Sequence, residues 1–395
     1  MIKRELPKER SYDFIGVLSD VENIVNEVKN RGDKAVIEFE EKFDKIKPNS
    51  ITLQKIEELA SQIDSDLKQA IDTIYSQLYE FNALIRPPNI IAGENNGIDY
   101  GIIWKSIEKV GIYVPGGDKA YPSILLMAGV PAVVAGVNEI YVTTPPYNIS
   151  PEIAYIGLKL NVKEIYTIGG AQAIAALAYG TETVKKVDKI VGPGDVYVQA
   201  AKYLVSKDVA IDGIDGSAEL VIVADESADP YHIILDLRAQ AEHDEFAFLV
   251  LLTNSDKIID LVSKELQHDA NTYYLIKVND IDEAIELVNE IAPEQLSLYV
   301  VNAKTYLSRV KNVGVVTLGD TPPAIIDYVA GSNHILPTNK WAKVRGGISV
   351  YDYLKIVMYT SSENPDKKII DAAKILAKYE GLNYHANSIS VRYKR

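Results

Sequence analysis

The run Asp236-Leu237-Arg238-Ala239-Gln240-Ala241-Glu242-His243-Asp244 places Gln240 and His243 three residues apart. On a helix that spacing puts both side chains on one face, within reach of one ion or ligand. The chain has five histidines and no cysteine. Any zinc site must therefore be built from imidazole, carboxylate and amide, with His243 a leading candidate. Taken alone, a Gln-x-x-His pair on a charged helix is most often a solvated face. Its company strengthens the reading. Polar residues fall in glycine- and proline-punctuated segments at 113–117, 169–172, 192–195, 240–243, 292–295 and 327–338, and again at 380–385.

Regular elements must hold these segments in place. Residues 1–90 read as helices. Ser19-Asp20-Val21-Glu22 is a capping box, followed by Ile24, Val25 and Val28 at helical spacing and a stop at Gly32. Val36, Phe39 and Phe43 make a second apolar stripe, and Leu67, Ile71, Ile74, Leu78 and Phe81 a third, ended by Pro87-Pro88. From Val110 onward, strands at 110–114, 139–142, 164–168 and 189–191 alternate with helices at 125–137, 153–160 and 171–178. Glycines follow the strands at 116–117, 169–170 and 192–194. A second series has strands at 220–223, 248–251, 273–276, 298–300 and 315–317, with helices at 258–266, 281–291 and around Gln240 and His243. A helical tail covers 366–379.

The pattern predicts an α/β protein. It has two parallel-sheet, incomplete Rossmann-like domains plus small helical N- and C-terminal segments. The expected limits are 1–24 for the N-terminal helical segment, 25–109 with 219–345 for the first α/β domain, 110–218 for the second, cofactor-side domain, and 346–395 for the C-terminal helical domain. Neither series contains G-x-G-x-x-G between strand and helix, so a nicotinamide cofactor would not sit in the usual phosphate cradle.

Composition bounds the function. At 395 residues the chain is too long for one ordinary core. Apolar residues at 47% and charged residues at 24% are ordinary for a soluble protein. A formal charge of −14 with no basic patch argues against nucleic-acid and anionic-membrane partners. The absence of cysteine excludes disulfides, iron–sulfur clusters and thiolate catalysis, and fits a cytoplasmic protein. The N-terminus lacks an apolar h-region, so no signal peptide is expected. The most apolar stretch, 121–137, is shorter than the ~20 residues a membrane span needs and reads as a buried helix.

Taken in order, Gly-Gly-Ala-Gln-Ala-Ile-Ala-Ala-Leu (169–177), Gln-Ala-Glu-His (240–243) and Gly-Ser-Asn-His-Ile-Leu-Pro-Thr (331–338) resemble histidinol dehydrogenase. This is the zinc enzyme family that ends histidine biosynthesis, and the likeness runs from about Val110 to Arg392. The resemblance implies a zinc site of Gln240, His243, Asp327 and His385, with the last histidine lent by the partner subunit of an obligate homodimer. It implies substrate contacts from those four, from Ser217, Gln295 and His334, and from Glu380, whose carboxylate would meet the substrate's ammonium. It implies cofactor contacts from Tyr113, Gln172 and Asp195. The family reaction is a four-electron oxidation of L-histidinol through an aldehyde, with two NAD molecules used in succession and a Glu-His pair moving protons.

Three positions depart from the family pattern. Glu294 matches the catalytic Glu, but Gln295 stands where the family has His, and an amide cannot take a proton near neutral pH. Glu294 is then the nearest candidate base and His334 the next. Asp195 replaces the Asn of Gly-Pro-Gly-Asn. Ala218 stands at the position of the Ser of Pro-Ser-Glu, with Ser217 one residue early. Two other readings stay open: a zinc and NAD dehydrogenase of another polar amino or sulfonated alcohol, and a non-catalytic zinc-binding paralogue.

Overall fold

The computed structural model describes residues 1–7, 14–117 and 120–393. The chain divides into two compact units, Met1–Ile85 with Ile107–Tyr353, and Arg86–Ser106 with Leu354–Arg395.

The large unit holds two six-stranded sheets. One contains β2 (Ser50–Ile51), β5 (Lys109–Tyr113), β6 (Glu139–Thr144), β7 (Glu164–Thr167), β8 (Lys189–Val191) and β9 (Ala210–Ile211), in the order β2-β7-β6-β5-β8-β9. Every pairing is parallel except that of β2 with β7. Val110, Ile112, Ile140, Val142 and Ile165 are buried, as expected when helices cover both faces of a parallel sheet. The crossovers are α5 (Pro122–Ala135), α6 (Pro151–Lys159), α7 (Gly170–Tyr179) and α8 (Val196–Val205). Helix α5 is the apolar stretch 121–137 and is buried nearly all round; no described helix is long and apolar enough to cross a membrane.

Four earlier helices, α1 (Leu18–Arg31), α2 (Asp33–Phe43), α3 (Leu53–Ala60) and α4 (Ser65–Ile85), complete this layer. Helix α1 packs on α7 and α8, α3 on α6, and α4 on α5 and α6. The capping box does not form. Helix α1 begins one residue before Ser19, continuing from a 3₁₀ turn at Ile15–Val17, so Val17 occupies the N-cap and the box is inside the helix. Gly32 does end the helix, at φ +55°.

The other sheet has the order β1-β12-β11-β10-β13-β14 and is wholly parallel. Its strands are β1 (Ile2–Lys3), β10 (Glu219–Ala224), β11 (Phe248–Thr253), β12 (Tyr273–Lys277), β13 (Gln295–Tyr299) and β14 (Val315–Leu318). Helices α9 (Pro230–Ala241), α10 (Asp256–Leu266) and α11 (Ile281–Ile291) connect them. Residues 2–3, read as part of a helical segment, instead add an edge strand beside β12. After β14 the chain forms only 3₁₀ turns as far as Tyr353. This long segment is tied to the first layer: Asn333 Nδ2 donates to Met127 O at 2.6 Å and the Tyr353 hydroxyl to Ala128 O at 2.5 Å, both in α5.

The small unit is an antiparallel sheet with two helices. Strands β3 (Ile90–Asn95), β4 (Ile98–Ser106) and β15 (Leu354–Ser361) pair in the order β15-β4-β3, and α12 (Lys367–Tyr379) packs on α13 (Asn383–Arg392). This sheet departs from the expectation of helices alone at the C-terminus. Its hairpin turns at Asn96-Gly97, both with positive φ, the backbone an Asn-Gly type I′ turn requires.

Candidate active site

The C-terminal edge of the first sheet opens onto a cavity of about 640 Å³. It lies where strand order reverses between β5 and β8, the place where parallel α/β sheets receive ligands. Tyr113, the last residue of β5, points its hydroxyl at the start of α7 and accepts from Gly170 N at 3.1 Å. Gly192 follows β8 at φ +127°, and a Cβ there would lie 2.1 Å from Tyr113 O, so only glycine lets the two backbones pass. Asp195 caps α8, its Oδ1 accepting from Tyr197 N at 3.0 Å and Val198 N at 2.9 Å. Asparagine would cap equally well.

Gln172 is held from below. Its Nε2 donates to Glu40 Oε1 at 2.7 Å, and Gly169 N donates to the same oxygen at 2.9 Å. Glu40 is wholly buried in α2, and burial lifts its carboxyl to about 8 against the two bonds that favour the anion; neighbouring Asp44 adds to the rise. The structure thus brings Tyr113, Gln172 and Asp195 to one cavity, which Asp44, Tyr147 and Gly116 also line.

A second polar cluster lies at the opposite kind of edge, the N-terminal one of the second sheet. Glu219 opens β10, Glu294 immediately precedes β13, and Gln295 opens it. The segment 292–295 therefore enters its strand rather than leaving it. Glu294 and Gln295 are buried, 8% and 2% exposed. Burial raises the Glu294 carboxyl well above its ordinary value; a bond from Glu219 N opposes this, and the charges of Glu219, Asp215 and Asp327 add to it. Gln295 Oε1 is buried and has no hydrogen-bond partner among the described residues.

Helix α9 ends at Ala241, so Gln240 and His243 do not share a helical face. Gln240 is in the last turn, buried, and His243 follows in a turn closed by His243 N donating to Gln240 O at 3.2 Å. Asp327 comes to His243 from the long segment after β14: its Oδ2 is 4.0 Å from His243 Nε2, and its Oδ1 is 3.9 Å from His334 Nδ1. His334 Nδ1 also lies 3.1 Å from Asp327 O. A carbonyl only accepts, so Nδ1 carries the proton and Nε2 is the free acceptor. Burial lowers His334 to about 4, which keeps the ring neutral, and raises Asp327, with His243 opposing the latter rise. Ser217 lies half-buried in the loop before β10, next to Ala218, whose N donates to Asp244 Oδ2 at 3.0 Å. Glu380 and His385 belong to the small unit, at the end of α12 and in α13, and both are exposed. Among the described residues no three His, Asp or Glu side chains close around one point as a metal site would.

Sequence reasoning missed the residues that hold these loops. Lys202, in α8, and Asp212 form a fully buried ion pair at 2.5 Å around Gly192. Arg345 pairs with Asp215 at 2.5 Å, and Gln199 Oε1 accepts from Asp215 N at 3.0 Å. Glu40 and Lys202 did leave a signal. Each is a charge in register with an apolar stripe, Glu40 four residues after Val36 and Lys202 four after Val198, where only a paired or functional charge belongs.

A family model described as histidinol dehydrogenase matches residues 8–393. The histidinol dehydrogenase of Sulfurisphaera tokodaii is 70% identical over 394 residues, covering 100% of each chain. That of Sulfolobus acidocaldarius is 59% identical with the same coverage. A solved histidinol dehydrogenase from Elizabethkingia anophelis superposes with a TM-score of 0.91 at 32% identity, over 99% of this chain and 94% of that one. An acetylating aldehyde dehydrogenase from Geobacillus thermoglucosidasius, at 11% identity and a TM-score of 0.51 over 90% of this chain and 100% of that one, shares the fold alone.

Proposed function

The chain belongs to the histidinol dehydrogenase family, and we propose that it oxidises L-histidinol fully to L-histidine, the last step of histidine biosynthesis, with NAD as acceptor and zinc as resident metal. In balance, one L-histidinol, two NAD⁺ and one water give one L-histidine carboxylate, two NADH and three protons. The observation that carries the reading is that His243 and His334 lie 4.0 and 3.9 Å from the two separate oxygens of Asp327.

That carboxylate suits a divalent cation. It is only 14% exposed, and no Lys or Arg pairs with it among the described residues. A buried anion without a cation is unfavourable, and an amide oxygen, an imidazole and a carboxylate from Gln240, His243 and Asp327 suit zinc. His385 of the partner subunit would complete the set. When bound, zinc would hold the substrate's amine and imidazole and orient the reacting carbon. NAD would occupy the cavity beside Tyr113, Gln172 and Asp195, whose volume is of the size class for small-molecule sites, and would accept hydride.

The proton work falls to this chain's own groups. Glu294 takes the alcohol proton in the first oxidation and the water proton during hydration of the aldehyde. A carboxyl lifted toward the working pH is a stronger base than an ordinary glutamate. Gln295 offers its unpartnered Oε1 as acceptor for the substrate hydroxyl, holding the alcohol for Glu294. His334, neutral with Nε2 free, and Ser217 bind polar groups of the substrate, and Glu380 meets its ammonium. The protein works as a cytoplasmic homodimer with shared sites; exposed Met358, Ile375, Tyr379 and Tyr384 on the small unit supply apolar surface for a second copy to cover.

Metal analysis tests the site. Chelator-treated protein reloaded with zinc should hold one ion per subunit, and Asp327→Asn or His385→Asn should lose it. Full zinc content in both variants would remove the proposed ligand set.

A further inference from the structure

Glu219 lies beside the proposed base. Strands β10 and β13 are parallel neighbours with Leu220 opposite Gln295, so Glu219 and Glu294 stand side by side at the sheet edge. Each carboxylate accepts the other's peptide N–H: Glu219 N donates to Glu294 Oε2 at 2.9 Å, and Glu294 N to Glu219 Oε2 at 3.2 Å. The remaining oxygen of Glu219 accepts from Asn339 N at 3.0 Å, which ties the pair to the segment carrying His334. Two buried acids placed side by side repel, so a merely structural role would be better filled by a neutral side chain. What the carboxylate adds is two acceptor oxygens, used on two different peptides. Glu294 Oε1 makes no hydrogen bond among the described residues.

We propose that Glu219 is a positioning residue for the reaction: through the reciprocal bonds it pins Oε2 of Glu294 and leaves Oε1 as the oxygen that exchanges protons with substrate. This rests on the reading of Glu294 as the base. Charged groups facing Glu294, besides Glu219, include Asp215, itself paired with Arg345, and Asp327 with His243 and His334 beyond it.

The test uses the zinc-loaded full-length enzyme with L-histidinol and NAD, in the variants Glu219→Gln, Glu219→Ala and Glu294→Gln. Glu219→Ala should lower kcat about 10²-fold, the usual effect of a small misplacement of a reacting group, with both KM values within about two-fold of wild type. Glu219→Gln keeps one acceptor oxygen and should recover part of that loss. It also removes a negative charge beside Glu294, so the acidic limb of the kcat/KM profile should move to lower pH. Wild-type kcat in Glu219→Ala overturns the proposal. Should that variant fail to fold, an unmoved acidic limb in Glu219→Gln overturns it equally. Retained activity in Glu294→Gln would instead sink the reading of the base itself, whatever the Glu219 variants do.

Discussion

Replacing Lys202 by methionine should destabilise the protein by about 3–5 kcal/mol, the range for removing one partner of a buried pair. Lys202 Nζ sits 2.5 Å from Asp212 Oδ1 and 3.0 Å from Gly192 O, and both side chains are 0% exposed. Asp212 in turn accepts from Gly192 N at 2.8 Å and Gly213 N at 2.9 Å. Methionine preserves most of the volume but leaves Asp212 with no cation and Gly192 O with no donor. Two lost bonds involving charged groups, at about 1.5–3 kcal/mol each, reach the same range independently. Urea unfolding at fixed protein concentration measures the loss. Because the pair grips Gly192 from both its N–H and its carbonyl, the KM for NAD should rise as well. Asp212→Asn alone should also destabilise, and the double variant should be more stable than the sum of the two by about 1 kcal/mol or more. A Lys202→Met protein within about 0.5 kcal/mol of wild type, or strictly additive effects, would refute the reasoning.

Gly192→Ala should reduce NAD affinity and folded yield together, because the added Cβ meets Tyr113 O at 2.1 Å; isothermal titration with NAD and expression of soluble protein check it. Asp195→Asn should leave stability within about 0.5 kcal/mol, since Asn caps as well as Asp, whereas Asp195→Ala should cost about 1 kcal/mol in thermal or urea unfolding. Glu40 titrates near 8 in the fold against an ordinary 4.5, so the fold favours its neutral form. Its contribution to stability is therefore lost as pH rises from about 4.5 through 8. Glu40→Gln, which cannot ionise, should gain in melting temperature relative to wild type at pH 9 compared with pH 5; an equal difference at both pH values would contradict the assignment.

The strands of the two parallel sheets were legible because burial on both faces makes them short apolar runs, as at 220–223 and 248–251. The antiparallel sheet of the small unit was not. Strand β3 is exposed along its whole length, so its residues carry no burial pattern, and its one turn signal is Asn96-Gly97. The start of α1 was misread because Ser19 and Glu22 have the right spacing for a cap while the chain is already turning at Ile15. At the site, residue types along 240–243 and 327–338 were readable. The approach of Asp327 to His243 was implied by the family resemblance alone; spacing and periodicity gave no sign of it, because it depends on where an irregular segment after β14 folds back. The bond pattern joining Glu219 to Glu294 was likewise hidden: it arises from the register of β10 against β13, seventy-five residues apart in sequence.

The central claim is that this chain completes the four-electron oxidation with Gln295 where a histidine base is expected. It is tested most directly by counting NADH formed per L-histidinol consumed by the zinc-loaded protein, with Gln295→His measured beside it. The account predicts two NADH per substrate from the native protein, and a higher kcat from Gln295→His within the 10²–10⁴-fold that a positioned acid–base group supplies. No NADH from either protein, with zinc bound, would contradict it.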